Sequence, residues 1–300
     1  MTPVPSVVRG KSAAYLAFAT VCIVWGTTYL AIAVALESVP VLLVAGLRWM
    51  AAGLVLSAVM IGSGRGLPGP RAWAPLALLG FLMNVMGNGL VVYAEQFVPS
   101  GLTAVLIATT PFWSAALEGM LPGGERFSTR SLLGLLLGFS GIVVLVWPEL
   151  THGGAGGTQF IIGVIAIQLA CVGWVIGTSF AKRHKLGGDP FRSTALQMVF
   201  SGSMLLAAAT AHGDWAHLAF TPRTLTAMLY LSIAGSLVAY SAYIYAIQHL
   251  PLQLVSLYAY INPMIAVALG TLFLHEPMSA RTLIAAALVL LGTWIVSRRT

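Results

Sequence analysis

The sequence predicts an all-α integral membrane protein: ten transmembrane helices, arranged as two inverted five-helix repeats around a central cavity. Three observations predict it. Of 300 residues, 58% are hydrophobic and only 8% charged, whereas a soluble domain devotes about a quarter of its residues to charge. The apolar stretches have the roughly 20-residue length that a helix needs to cross hydrocarbon. The chain also repeats its own residue pattern about half its length further on. With so little charge, water cannot be the solvent of most of this surface.

Reading for apolar runs of that length gives spans at 12–36, 41–62, 72–93, 100–120, 130–147, 159–181, 190–211, 224–247, 252–274 and 279–297. The first follows a short polar lead, Met1 to Lys11, and is too long for the core of a cleavable signal peptide. Turn formers separate the spans, as in Gly62-Ser63-Gly64-Arg65-Gly66, Pro122-Gly123-Gly124, Gly153-Gly154-Ala155-Gly156-Gly157 and Gly187-Gly188-Asp189-Pro190. None alternates polar and apolar at every second residue, as barrel strands do. Cys22 and Cys171 lie inside apolar runs with no ligand spacing, and predict small buried side chains rather than a disulfide.

Charge sets the expected orientation. With the N-terminus inside, 12 of the 15 Lys and Arg fall on the cytoplasmic side, and only Arg223 and Arg281 fall outside. Arg48 remains within a helix. Glu37, Glu95, Glu149, Asp214 and Glu276 fall on the outer side. Both termini are expected in the cytoplasm of a multi-pass protein of the plasma (inner) membrane. The sequence pI near 9.7 would suit a nucleic-acid partner, but the basic residues are too dispersed among loops to form a binding face, so none is predicted.

The repeat divides the chain at 1–150 and 151–300. Tyr93-Ala94-Glu95-Gln96-Phe97-Val98-Pro99 is echoed by Tyr245-Ala246-Ile247-Gln248-His249-Leu250-Pro251, and Pro111 by Pro263 at the same offset. Glu125 matches Glu276 and Gly141 matches Gly292 after a one-residue slip. Trp25 precedes Gly26-Thr27-Thr28-Tyr29 as Trp174 precedes Gly177-Thr178-Ser179-Phe180. Five spans being odd, the halves sit in opposite orientations. That is the architecture of many secondary transporters, whose substrates bind near mid-membrane between the halves.

Trp25-Gly26, Leu47-Arg48-Trp49 and the run Tyr93…Pro99…Pro111…Gly124-Glu125-Arg126 resemble the drug/metabolite transporter superfamily, and within it the ten-helix EamA-type permeases. The similarity covers essentially the whole chain. It implies a ten-helix exporter with a central cavity and cytoplasmic termini, and relatives of this shape export amino acids, aromatic ones included. The second half departs from the family pattern at His275-Glu276-Pro277 and at Met198, opposite Arg48.

The sequence holds no HExxH, GxSxG or phosphate-binding glycine loop, and its six histidines map to loops or helix ends, so no enzyme, metal site or cofactor is predicted. Ionisable groups within a membrane are costly and mark function. Here only Arg48 and Glu118 qualify, with Glu118 expected at the inner headgroup level. Arg48 is expected to serve structure ahead of substrate binding. Candidate substrate-binding residues are the amides Asn84 and Asn88 and the aromatics Trp25, Trp113, Trp174, Tyr240, Tyr258 and Tyr260. Asn84 and Asn88 share an expected stripe with Gly80 and Gly87, as Ser232, Ser236, Tyr240 and Tyr243 do in the eighth span. Pro111 and Pro263 are the expected hinge, a matched pair of kinks. Without a buried carboxylate, the expectation is uncoupled export of amino acids, aromatic and other neutral ones favoured, or similar small metabolites by alternating access. The rivals are a proton-coupled exporter of lipophilic cations and a non-transporting protein such as a scramblase. Expected partners are a small-molecule substrate and membrane lipid.

Overall fold

The computed structural model describes residues 6–120, 129–152, 157–184, 188–250, 252–255, 257–276 and 278–297. Among these residues every regular element is helical. In chain order the spans are α1 (Ser6–Ala35), α2 (Val41–Gly62), α3 (Pro70–Ala94), α4 (Ser100–Leu117), α5 (Thr129–His152), α6 (Gly157–Arg183), α7 (Pro190–His212), α8 (Pro222–His249), α9 (Tyr258–Phe273, preceded by the short helix Leu252–Val255) and α10 (Ala280–Ser297). Seven of them are long and apolar enough to cross a membrane alone, and three shorter apolar helices lie in α5, α9 and α10. Glu125, Arg126, Lys185, Pro251, Pro277, Arg298 and Arg299 lie outside the described residues, as does the Glu118 side chain.

The halves meet along glycine seams. Gly53 of α2 faces the backbone of Met198 and Val199 in α7, and Gly202 of α7 faces the backbone of Met50. A Cβ on Gly141 of α5 would stand 2.8 Å from the Ala285 carbonyl of α10, and one on Gly292 only 2.5 Å from that of Gly134. Small residues let helix backbones approach where lipid supplies no hydrophobic drive. Two such seams, α2 with α7 and α5 with α10, each pair the corresponding helices of the two halves.

α3 and α8 each contain a π-helical stretch, Phe81–Gly89 and Leu231–Val238, at matching positions in the two halves. A π turn bonds i to i+5, so it re-aims side chains relative to an α-helix and recurs at functional sites. The expected stripe on α3 is split by it. Gly80 lies against α7, where a Cβ would meet the Gln197 carbonyl at 2.7 Å, whereas Gly87 lies against Trp174 of α6.

The two expected proline kinks take different forms. In α4 the helix breaks at Ala108–Thr109, and Pro111 sits in the first turn of the next segment, Thr110–Met120, where a missing N–H is harmless. The Ile107 carbonyl that Pro111 leaves free accepts from Thr110 Oγ1 at 2.6 Å. In α9 the helix Tyr258–Phe273 runs through Pro263 without interruption. The prolines are equivalent in sequence but not in local structure.

Candidate functional site

A cavity lies where α1, α2, α3, α4, α6, α8 and α9 converge. Its aromatic wall is a connected cluster. Trp25 meets Trp174 edge-on at 5.9 Å and Tyr258 edge-on at 5.3 Å, and Trp174 meets Tyr240 at 6.3 Å. The two tryptophans that mark the start of each repeat thus touch across the centre. Rings in edge contact hold one another in place, so the wall is preorganised. Trp25 Nε1 donates to the Gly235 carbonyl at 3.2 Å, within the π stretch of α8.

Polar groups punctuate this wall. Arg48 is 2% exposed, yet lines the cavity. Its Nε donates to Ser236 Oγ at 2.9 Å and its guanidinium lies 5.1 Å from the Trp49 ring centroid, while Nη1 is buried without a partner. Asn88 also lines the cavity, with its Oδ1 buried and unpartnered. The Asn262 amide, oriented from its neighbours, bridges the Cys22 and Tyr258 carbonyls at 2.9 and 3.1 Å.

Of the eight residues expected from sequence to bind substrate, the cavity brings together Trp25, Asn88, Trp174, Tyr240 and Tyr258. Asn84, Trp113 and Tyr260 are not on its wall. Asn84 instead belongs to a buried network behind Tyr240. Gln197 Nε2 donates to Asn84 Oδ1 at 3.2 Å and to Tyr240 Oη at 3.0 Å, and Asn84 donates to Ser201 Oγ at 3.0 Å. Trp113 donates to Gln168 Oε1 at 3.0 Å and packs edge-on against Phe139. Sequence reasoning did not single out Tyr29, Trp49, Thr110 or Asn262, which complete the wall. Asn262 was open to detection, being an amide one turn after Tyr258 in an apolar helix.

The expectation that Arg48 and Glu118 are the only embedded ionisable groups is also corrected. Glu95, the first residue past α3, has both carboxylate oxygens buried with no hydrogen-bond partner. Burial pushes its carboxyl well above the usual carboxylate range; nearby Glu276 adds to that, and Arg48 opposes it. Glu276 is held differently. Its Oε1 and Oε2 accept from the Ser100 and Gly101 backbone N–H groups at 2.6 and 3.0 Å, capping the start of α4. Gly270 makes room for it, since a Cβ there would stand 2.4 Å from Oε2. Hydropathy places Glu95 in a loop, but its carboxylate oxygens are buried.

Both halves, residues 12–147 and 161–298, match the EamA-like transporter family. The chain belongs to that family. It is 32% identical over 276 residues to the inner membrane transporter YedA of Escherichia coli, covering 92% of this chain and 87% of that one. It is 31% identical to a chloroplastic WAT1-related protein of Arabidopsis thaliana, spanning 91% of this chain and 66% of the relative. The transporter YvbV of Bacillus subtilis is 25% identical over 97% of this chain. A crystal structure 20% identical in sequence superposes with a TM-score of 0.64 over 95% of the chain, a likeness of fold. The protein is a membrane transporter with an EamA fold.

Proposed function

We propose that this transporter exports amino acids or similar small metabolites, aromatic and other neutral ones favoured, by alternating access of the central cavity. One observation carries the reading: a cavity built by both halves, walled by a rigid aromatic cluster and carrying a few convergent polar groups. Such a site suits one small solute with an apolar part and a polar end. The two opposed halves, 1–150 and 151–300, supply equivalent states that open to either face. The basic loops favour both termini in the cytoplasm. With family members named as transporters and no catalytic constellation in the sequence, the function is transport rather than catalysis. The sequence argument for uncoupled movement assumed no buried carboxylate, and Glu95, off the cavity wall, is one.

Counterflow of labelled L-phenylalanine, L-tryptophan and L-threonine in proteoliposomes tests the reading. Exchange of at least one is expected, with Trp174→Ala slowing it about tenfold or more by removing one face of the cluster. No exchange of any amino acid under any imposed gradient would refute it.

A further inference from the structure

Three groups on the cavity wall are buried without a partner, the donors Arg48 Nη1 and Trp49 Nε1 and the acceptor Asn88 Oδ1. Arg48 lies seven residues into α2 from Val41, and Asn88 lies six residues before the end of α3 at Ala94. The start of α2 and the end of α3 face the same end of the bundle, so at helical rise the two residues stand at nearly one depth, about 9–11 Å in. Arg48 Nη1 is a buried cationic donor with nothing to donate to, and Asn88 Oδ1 is a buried acceptor with nothing to accept. A buried polar group left unpaired is costly, and so is a buried charge. A guanidinium held at Nε by Ser236 and stacked by Trp49 has its remaining edge fixed in place. No carboxylate completes it: among the described residues, Glu95 acts on Arg48 through space, without an ion pair between them.

We propose that Arg48 is the carboxylate anchor of the cavity and Asn88 the acceptor for an amine beside that carboxylate, so that the transporter selects solutes bearing an anionic group. The proposal rests on the cavity being the transport site, as argued above, and narrows what it takes. The aromatic cluster holds the apolar remainder of the solute, and the planar fork of arginine matches a carboxylate's two oxygens. The same charge disfavours organic cations, although an aromatic wall alone would attract them. The lipophilic-cation reading is thereby the disfavoured one.

Binding to purified wild-type protein, read by quenching of its tryptophan fluorescence, tests the anchor with four probes: 3-phenylpropionate, L-phenylalanine, phenethylamine and tetraphenylphosphonium. The two carboxylates are expected to bind about tenfold or more tightly than the two cations. Cations binding as tightly as 3-phenylpropionate would overturn the proposal without any variant being needed. Arg48→Lys keeps the charge and loses the fork, and is expected to weaken both carboxylates about tenfold; unchanged affinity in a folded Arg48→Lys protein would also overturn it. Asn88→Leu is expected to narrow the advantage of L-phenylalanine over 3-phenylpropionate. If carboxylates bind through Arg48 but no amino acid undergoes counterflow, the amino-acid reading falls while the anchor stands. If amino acids exchange with no anion preference, the anchor alone falls.

Discussion

Gly53 of the first half rests on the backbone of Met198 and Val199, and Gly202 of the second half rests on that of Met50, as one contact made twice. Arg48 and its counterpart Met198 follow no such rule: one is a charge on the cavity wall, the other a fully buried thioether in the α2–α7 seam. Glu95 likewise corresponds to Ile247. The duplicated chain therefore keeps its packing symmetric, while Arg48 and Glu95 have no charged counterpart in the second half. Symmetric packing is what two interchangeable states require, whereas a bound solute has distinct ends and needs distinct groups around it. The halves agree where they meet each other, Trp25 and Trp174 included, and differ in the charged group that they present to the cavity.

The sharpest way to break that comparison is to make the second half carry charge as well. Met198→Arg buries a guanidinium with no Ser236, Trp49 or Glu95 to meet it, and is expected to cost about 3–5 kcal/mol and the monodisperse species in size-exclusion chromatography. A folded, active Met198→Arg protein would mean that the charge asymmetry is incidental. The packing symmetry is tested next by Gly53→Leu and Gly202→Leu in parallel. A Cβ at either would stand within 2.7 Å of a backbone nitrogen across the seam, which cannot yield as a side-chain tip can. Each is expected to lose about 3 kcal/mol or more of stability by overpacking, to a similar extent. Tolerance of one and not the other, in thermal melts in detergent, would show that the seams are not equivalent.

Much of this scaffold was legible in the sequence, because lipid imposes a ruler of fixed length and the repeat supplies a second reading of every span. The Trp25–Trp174 pair and the Gly141–Gly292 pair were visible as repeats, and both lie at contacts between the halves. The lining was less legible. Helical-wheel reasoning put Gly80, Asn84, Gly87 and Asn88 on one stripe, but residues 81–89 wind as a π-helix, so Asn84 turns to Ser201 and Asn88 to the cavity. No local signal announces that change of pitch. Glu95 was misplaced for a related reason: hydropathy ends a span at its first charge, and burial beyond that point depends on elements distant in sequence.

The two acids at this end of the bundle extend the comparison to smaller effects. Glu276 has a counterpart in Glu125, so it belongs to the symmetric scaffold, and its carboxylate caps α4 through two backbone N–H groups. Glu276→Gln is expected to lower stability by about 1–2 kcal/mol, as loss of a charged cap does, with the transported solute unchanged. A shift in solute preference instead would place Glu276 among the asymmetric, solute-facing groups.

Glu95 has no acidic counterpart, and its effect is one of pH. In the folded protein burial holds its carboxyl protonated above the usual range; in the unfolded chain it releases its proton near about pH 4.3. Between those two values the folded state binds more protons than the unfolded state, so stability falls as pH rises through that window and is fully retained below it. Glu95→Gln replaces the neutral acid by a neutral amide of the same shape and removes the titration. Thermal melts of wild type and Glu95→Gln at a series of pH values should diverge on the alkaline side, the wild type declining more steeply. Parallel curves would mean that Glu95 is ionised and solvated in the folded protein, like the acids of an ordinary loop, rather than buried and neutral.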